Sequence, residues 1–239
     1  MWLIARRATL ESLRDRTTQL VSVLFSLVFP LVFVVVVIVP IAAQATTTSG
    51  RTALGTTMAV FLLTVGLLPT SGSVGIAAGQ FAGEKEQGNL APLLATPASN
   101  TAIFGGKVIG AVLPTLAYSA IAIVTYGIEI TVTLGLSKLR LVPIGLALSM
   151  IALVPAVSTF GAVVASLISS RVRTYNAAQQ ISSLILIPVL LVFVFVAINI
   201  QTWEPFGPVA AVLVSLAIDA VLILLGAATW RREEVLARR

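Results

Sequence analysis

Residues 20–43 read LVSVLFSLVFPLVFVVVVIVPIAA, a run without a single charge. A helix rises 1.5 Å per residue, so crossing the ~30 Å hydrocarbon core takes ~20 apolar residues. This run is long enough, and the charge-free stretch around it extends from Arg16 to Arg51. Similar gaps follow. Arg51 to Glu84 is free of charge, as are Arg140 to Arg171 and Arg173 to Glu204. Lys107 to Lys138 is broken only by Glu129, and Glu204 to Arg231 only by Asp219. The pattern predicts an all-α membrane protein of six transmembrane helices, near 20–43, 56–82, 103–134, 141–169, 178–200 and 207–230.

The composition agrees. The chain has 239 residues, 58% of them hydrophobic and only 10% charged, against about 25% charged in an ordinary soluble domain. Such a chain cannot cover itself with polar surface, and it is too apolar for intrinsic disorder. It contains no Cys and no His, which excludes disulfides, thiol nucleophiles, His-based triads and His- or Cys-ligated metals. The segment before residue 20 is charged, and the first apolar run is too long for a signal h-region, so it is read as a retained span.

The net charge of +6 is read as membrane sidedness, not as nucleic-acid binding. With six spans, twelve of the fifteen Lys and Arg fall on the side of the termini; Arg51, Lys138 and Arg140 fall on the other. The positive-inside rule then makes both termini cytoplasmic. The outer loops, near 44–55, 135–140 and 201–206, are too short to form a domain.

Residues 1–19 form a basic amphipathic segment. Leu3, Leu10, Leu13 and Leu20 lie near one helical face, while Arg6, Arg7, Arg14 and Arg16 lie mostly elsewhere. This predicts an interfacial helix that meets lipid before the first span.

The loop between the second and third spans carries the densest pattern: residues 84–107 read EKEQGNLAPLLATPASNTAIFGGK. Gly88 permits a turn, Asn89 is a good N-cap, and Leu90, Leu93 and Leu94 share one face. Pro97 ends the helix, and Ser99 or Asn100 caps the next. A short amphipathic helix near 89–96 is expected. Its leucines suit either lipid or a protein beneath the membrane; Glu84 and Glu86 would be repelled by anionic lipid heads and favour the protein.

This loop resembles that of the type-2 ABC exporter permeases, approximately EKExGTLExLLxxPxSxxxxxxGK. Glu84, Lys85, Glu86, Gly88, Leu90, Leu93, Leu94, Pro97, Ser99, Gly106 and Lys107 match in order and spacing. Asn89 and Ala91 depart from it. The entry LESLRDRTTQLVSVLFSLVFPLVF (10–33) and the exit WRREEVLARR (230–239) are also similar to that family's. The resemblance implies the permease subunit of an ATP-driven exporter, multi-pass in the plasma membrane. Two such subunits, identical or closely related, would pair over two ATP-binding cassette subunits. The 89–96 segment would be the coupling helix, with Leu90, Leu93 and Leu94 in a groove of the ATPase and Glu84 and Glu86 meeting its basic residues. ATP and Mg would sit in that partner, with no cofactor in this chain.

The chain is not itself expected to be an enzyme. A P-loop needs G-x-x-x-x-G-K-[ST], whereas Gly106-Lys107 is followed by Val108 and preceded at the first Gly position by Thr101.

Within the spans, Ser71, Gly75, Gly79 and Gly83 repeat at four-residue spacing, and Gly106 and Gly110 continue the theme; small residues let helices approach closely. Asp219, mid-span, is either a translocation-path residue or a protonated structural one, with Ser215 one turn away to share a hydrogen bond. Glu129 is expected near the outer boundary, where Lys138 or Arg140 could pair with it. Three other functions fit the sequence less well. An ion-coupled secondary transporter would use Asp219, but internal inverted repeats are not evident. A lipid-acting enzyme lacks a catalytic cluster, and a scaffold would leave the loop motif unexplained.

Overall fold

The computed structural model describes residues 1–14, 16–88, 96–199 and 207–229. Among the described residues all regular structure is helical. Five segments are long and apolar enough to cross a membrane: Gln19–Gln44, Thr48–Leu67, Asn100–Leu134, Ile144–Arg171 and Val209–Ala228. The stretch expected as the fifth span lies in a separate 25-residue helix, Tyr175–Asn199, which is not among those five.

Helix α1 (Trp2–Ser12) is shorter than the expected 1–19 segment, because a turn at residues 13–14 separates it from the first span. That span is α2 (Arg16–Phe33), a π-helical turn (Val34–Ile38) and α3 (Val39–Gln44). Pro40 explains the wide turn. Its ring would crowd the carbonyl four residues back, and the Val39 N–H instead reaches Val34 O.

The expected second span, 56–82, differs from the observed helices. Thr47 caps α4 (Thr48–Leu67), its hydroxyl accepting the Gly50 N–H at 3.1 Å. The expected 44–55 loop therefore shrinks to residues 45–47. Pro69 breaks the helix into a 3-10 turn (Leu68–Thr70), followed by α5 (Ser71–Ala78), a second π turn (Gly79–Gly83) and α6 (Glu84–Glu86). Gly88 then turns the chain with φ +71°. The expected 89–96 helix falls on residues 89–95, which lie outside the described residues.

Ser99 caps α7 (Asn100–Leu134), accepting the Ala102 N–H at 3.1 Å. Gly135 (φ +83°) ends it, and α8 (Leu136–Leu139) leads to α9 (Ile144–Arg171). Helices α10 (Tyr175–Asn199) and α11 (Gly207–Thr229) complete the chain.

Helices α4, α7 and α9 are the centre: half, 44% and 56% of their most apolar windows are buried, against 22% for the first span and 17% for α11. Phe81, Phe104, Val108 and Val163 form a core at the end that carries residues 84–107, here the motif end. Leu63, Met150 and Val154 fill the middle. Val34, Leu54, Met58 and Tyr126 fill the opposite end, where the Tyr126 hydroxyl donates to Met58 O at 3.2 Å. Lipid is as apolar as leucine, so close packing and buried polar ties must hold such helices together. Gly55 shows how close: a Cβ there would lie 2.0 Å from Leu141 O.

Candidate coupling and translocation site

The motif end is organised by three consecutive charged residues, each tied to a different helix. Glu84 Oε2 pairs with Lys107 Nζ of α7 at 2.5 Å. The Lys107 ammonium also donates to Gln80 O and stands 4.3 Å from the centroid of the Phe81 ring. The side chain is only 2% exposed, so a carboxylate, a carbonyl and an aromatic face replace its water.

Lys85 Nζ donates to Val172 O at 3.2 Å and Ser170 O at 3.4 Å, where α9 ends. A cation suits the negative end of a helix dipole. Glu86 does the converse: its Oε2 accepts the Tyr175 N–H at 3.1 Å, where α10 begins. Both carboxylates that were expected to face a partner thus have contacts within the chain, while the Glu86 side chain stays exposed.

The same end is tightened by Ser169, buried in α9. Its hydroxyl donates to Ala78 O at 2.5 Å and accepts the Ala82 N–H at 2.8 Å. These contacts flank the Gly79–Gly83 π turn, where the Glu84 N–H reaches back to Gly79 O.

The small residues divide into two groups. A Cβ at Gly106 would come 3.0 Å from Ile4 Cβ, and one at Gly110 2.5 Å from Ala8 Cβ. These glycines admit α1, whose Ala5 is fully buried against α7. Pro114 adds to the seat. It has no N–H for the carbonyl four residues back, Gly110 O, and Thr9 Oγ1, which donates to Ala5 O at 2.9 Å, stands 3.5 Å from that carbonyl. Leu3 and Leu10 remain exposed on α1, as do Leu13 in the turn after it and Leu20 on α2. The other stripe is looser. A Cβ at Gly75 or Gly79 would meet Tyr175 at 3.7 or 3.5 Å, and one at Gly83 would meet nothing within 4 Å. Ser71 opens α5. Sequence reading missed the tight positions Gly55, Gly66 and Gly226, because an isolated glycine carries no periodic signal.

Asp219 is buried on α11 at 4% exposure, and neither carboxylate oxygen has a hydrogen-bond partner in the described structure. Ser215, expected to share a bond with it, donates instead to Ala211 O at 2.8 Å. Two turns beyond Asp219, Gly226 lies against Phe104 of α7 and Leu167 of α9. On the other side, Ala211 and Val212 adjoin the middle core. Asp219 therefore sits between the middle core and the motif end. Glu129 is half-buried, with Oε2 lacking a partner, and the described ion pairs do not join it to Lys138 or Arg140.

Comparison with known proteins adds one match. A search of curated proteins finds none. A family model described as ABC-2 type transporter matches residues 1–225, almost the whole chain. The chain belongs to the ABC-2 type transporter membrane family and is a multi-pass permease component of an ABC transporter.

Proposed function

We propose that this chain forms half of the translocation path of an ATP-driven exporter, with α10 serving as the fifth of six spans and the motif end facing the cytoplasm. Two copies, or one copy and a close relative, stand over two ATP-binding cassette subunits, which hold ATP and Mg. The observation that carries this reading is the motif end itself. Glu84, Lys85 and Glu86 tie three helices together immediately before a glycine turn into the 89–96 segment. That segment is the coupling helix, with Leu90, Leu93 and Leu94 in an ATPase groove.

The charge asymmetry supports the orientation. Asp219 lines the path, because an unpartnered carboxylate inside a membrane bundle is retained for what passes it. Glu129 stands nearer the outer mouth. Family membership favours ATP over an ion gradient as the energy source, which sets aside the ion-coupled reading.

The test is Leu93→Ala with Leu94→Ala in a co-purified complex. Each truncation is expected to cost roughly 1–2 kcal/mol of ATPase association, the range of ordinary interface contacts. Pull-down of the ATPase and substrate-stimulated hydrolysis should both fall while membrane insertion persists. Wild-type values for both contradict the reading.

A further inference from the structure

We infer that residues 84–86 form a clasp with one fixed anchor and two releasable ties, and that release of the two ties passes movement of the following loop to the helix bundle. This rests on the coupling reading above and names the positioning residues that serve it.

The anchor is Glu84–Lys107. The ammonium is almost fully buried, held by a carboxylate, the Gln80 carbonyl and the Phe81 ring. Opening this pair would strand a cation in an apolar layer, so it stays closed. The two ties differ in kind. Lys85 is half-buried and Glu86 exposed, and each meets backbone groups at a helix terminus. Water can replace a carbonyl or an N–H there at small cost, so these ties can open and reclose.

Their positions give the direction of force. Gly88 turns the chain directly after Glu86. A pull on the loop acts first on Glu86 and the start of α10, then on Lys85 and the end of α9, and last on the anchor. The π turn just before the clasp supplies the slack, since a wide turn can lose its extra residue without unwinding the helix. In the present arrangement the Gln80 side-chain amide on that turn is buried and neither of its polar atoms has a partner. Buried amides are normally bonded, so a second register of this turn, with Gln80 bonded, fits the same device.

The chain has no cysteine, so an introduced pair reports cleanly. Gln87→Cys with Arg173→Cys places one thiol beside each tie. Oxidative cross-linking is measured on the permease alone, in lipid nanodiscs. Adding Lys85→Met and Glu86→Gln should slow cross-linking roughly tenfold, the effect of losing two charge-assisted hydrogen bonds. Adding Lys85→Arg and Glu86→Asp instead should restore most of the rate, which separates release from misfolding. An unchanged rate in the Met/Gln variant overturns the clasp.

In the complex with its ATP-binding subunit, Lys85→Met with Glu86→Gln should lower the transport obtained per ATP hydrolysed roughly tenfold. Hydrolysis and transport falling together would reduce the ties to structural braces and overturn their transmitting role. Failure of the wild-type chain to capture any ATP-binding subunit would overturn the exporter reading instead, and the cross-linking result on the permease alone would stand apart from it.

Discussion

Lys107 and Asp219 are both ionisable and both nearly inaccessible, at 2% and 4% exposure, on helices long enough to cross a membrane. Their surroundings are opposite. Lys107 has a carboxylate, a carbonyl and an aromatic face, so every direction its charge points is answered. Asp219 has two oxygens and no partner among the described residues, and even Ser215 one turn away bonds to its own helix. A buried charge that is fully answered holds structure together. One left unanswered costs stability and is kept for another reason. The contrast is between a buried charge answered at the motif end and a buried carboxylate that has no partner among the described residues.

The largest expected effect tests the answered charge. Glu84→Gln keeps the side-chain shape but removes the counter-charge of a buried ammonium. Removing one partner of such a pair costs about 3–5 kcal/mol. Thermal unfolding of the purified chain should drop accordingly, and a wild-type midpoint would show that Phe81 and Gln80 O suffice for Lys107.

Next is the seat of α1 on α7. Gly110→Val puts a side chain where Ala8 Cβ would be 2.5 Å away. Overpacking of this kind costs about 1–3 kcal/mol. Protease sensitivity of residues 1–14 should rise while the spans stay inserted.

Asp219→Asn should act in the reverse sense to Glu84→Gln. A neutral amide is easier to bury, so stability should hold or rise by about 1 kcal/mol, while transport falls roughly tenfold, equivalent to ~1.4 kcal/mol. Unchanged transport would make Asp219 a structural residue and erase the contrast. The smallest effect is expected at Gly83, which has helical dihedrals and open space around it. Gly83→Ala should raise the unfolding midpoint slightly, by about 0.5–1 kcal/mol. A loss would mean that the π turn needs this glycine.

Much of the architecture was legible because lipid imposes a simple rule: uncharged runs of sufficient length become helices. The described ends of α7, Asn100 and Leu134, fall close to the expected 103–134. The interruptions were not legible in the same way. Pro69 breaks its helix, while Pro114 and Pro155 lie within helices that continue through them. Which occurs depends on what packs beside the freed carbonyl, and at Pro114 that is α1, about a hundred residues away in sequence. Thr47 was overlooked as a cap because the apolar count stops at Arg51, although helix formation begins where an oxygen can meet the first N–H groups.

The site was legible by residue and not by partner. Reading 84–86 as a charged run facing outward missed that Glu84 finds Lys107, Lys85 the end of α9 and Glu86 the start of α10. Those partners come together only after the helices have packed. Asp219 was conspicuous in sequence because a lone carboxylate in an apolar run has no local explanation, and the fold supplies none.

In the proposed complex the motif end meets an ATP-binding subunit on the cytoplasmic side. A photo-crosslinking residue placed at Gln87 and, separately, at Thr48 in the co-expressed complex tests it most directly, since both positions are exposed and lie at opposite ends of the bundle. The account predicts an adduct with the ATP-binding subunit from position 87 and none from position 48. An adduct from position 48, or none from position 87, would contradict it.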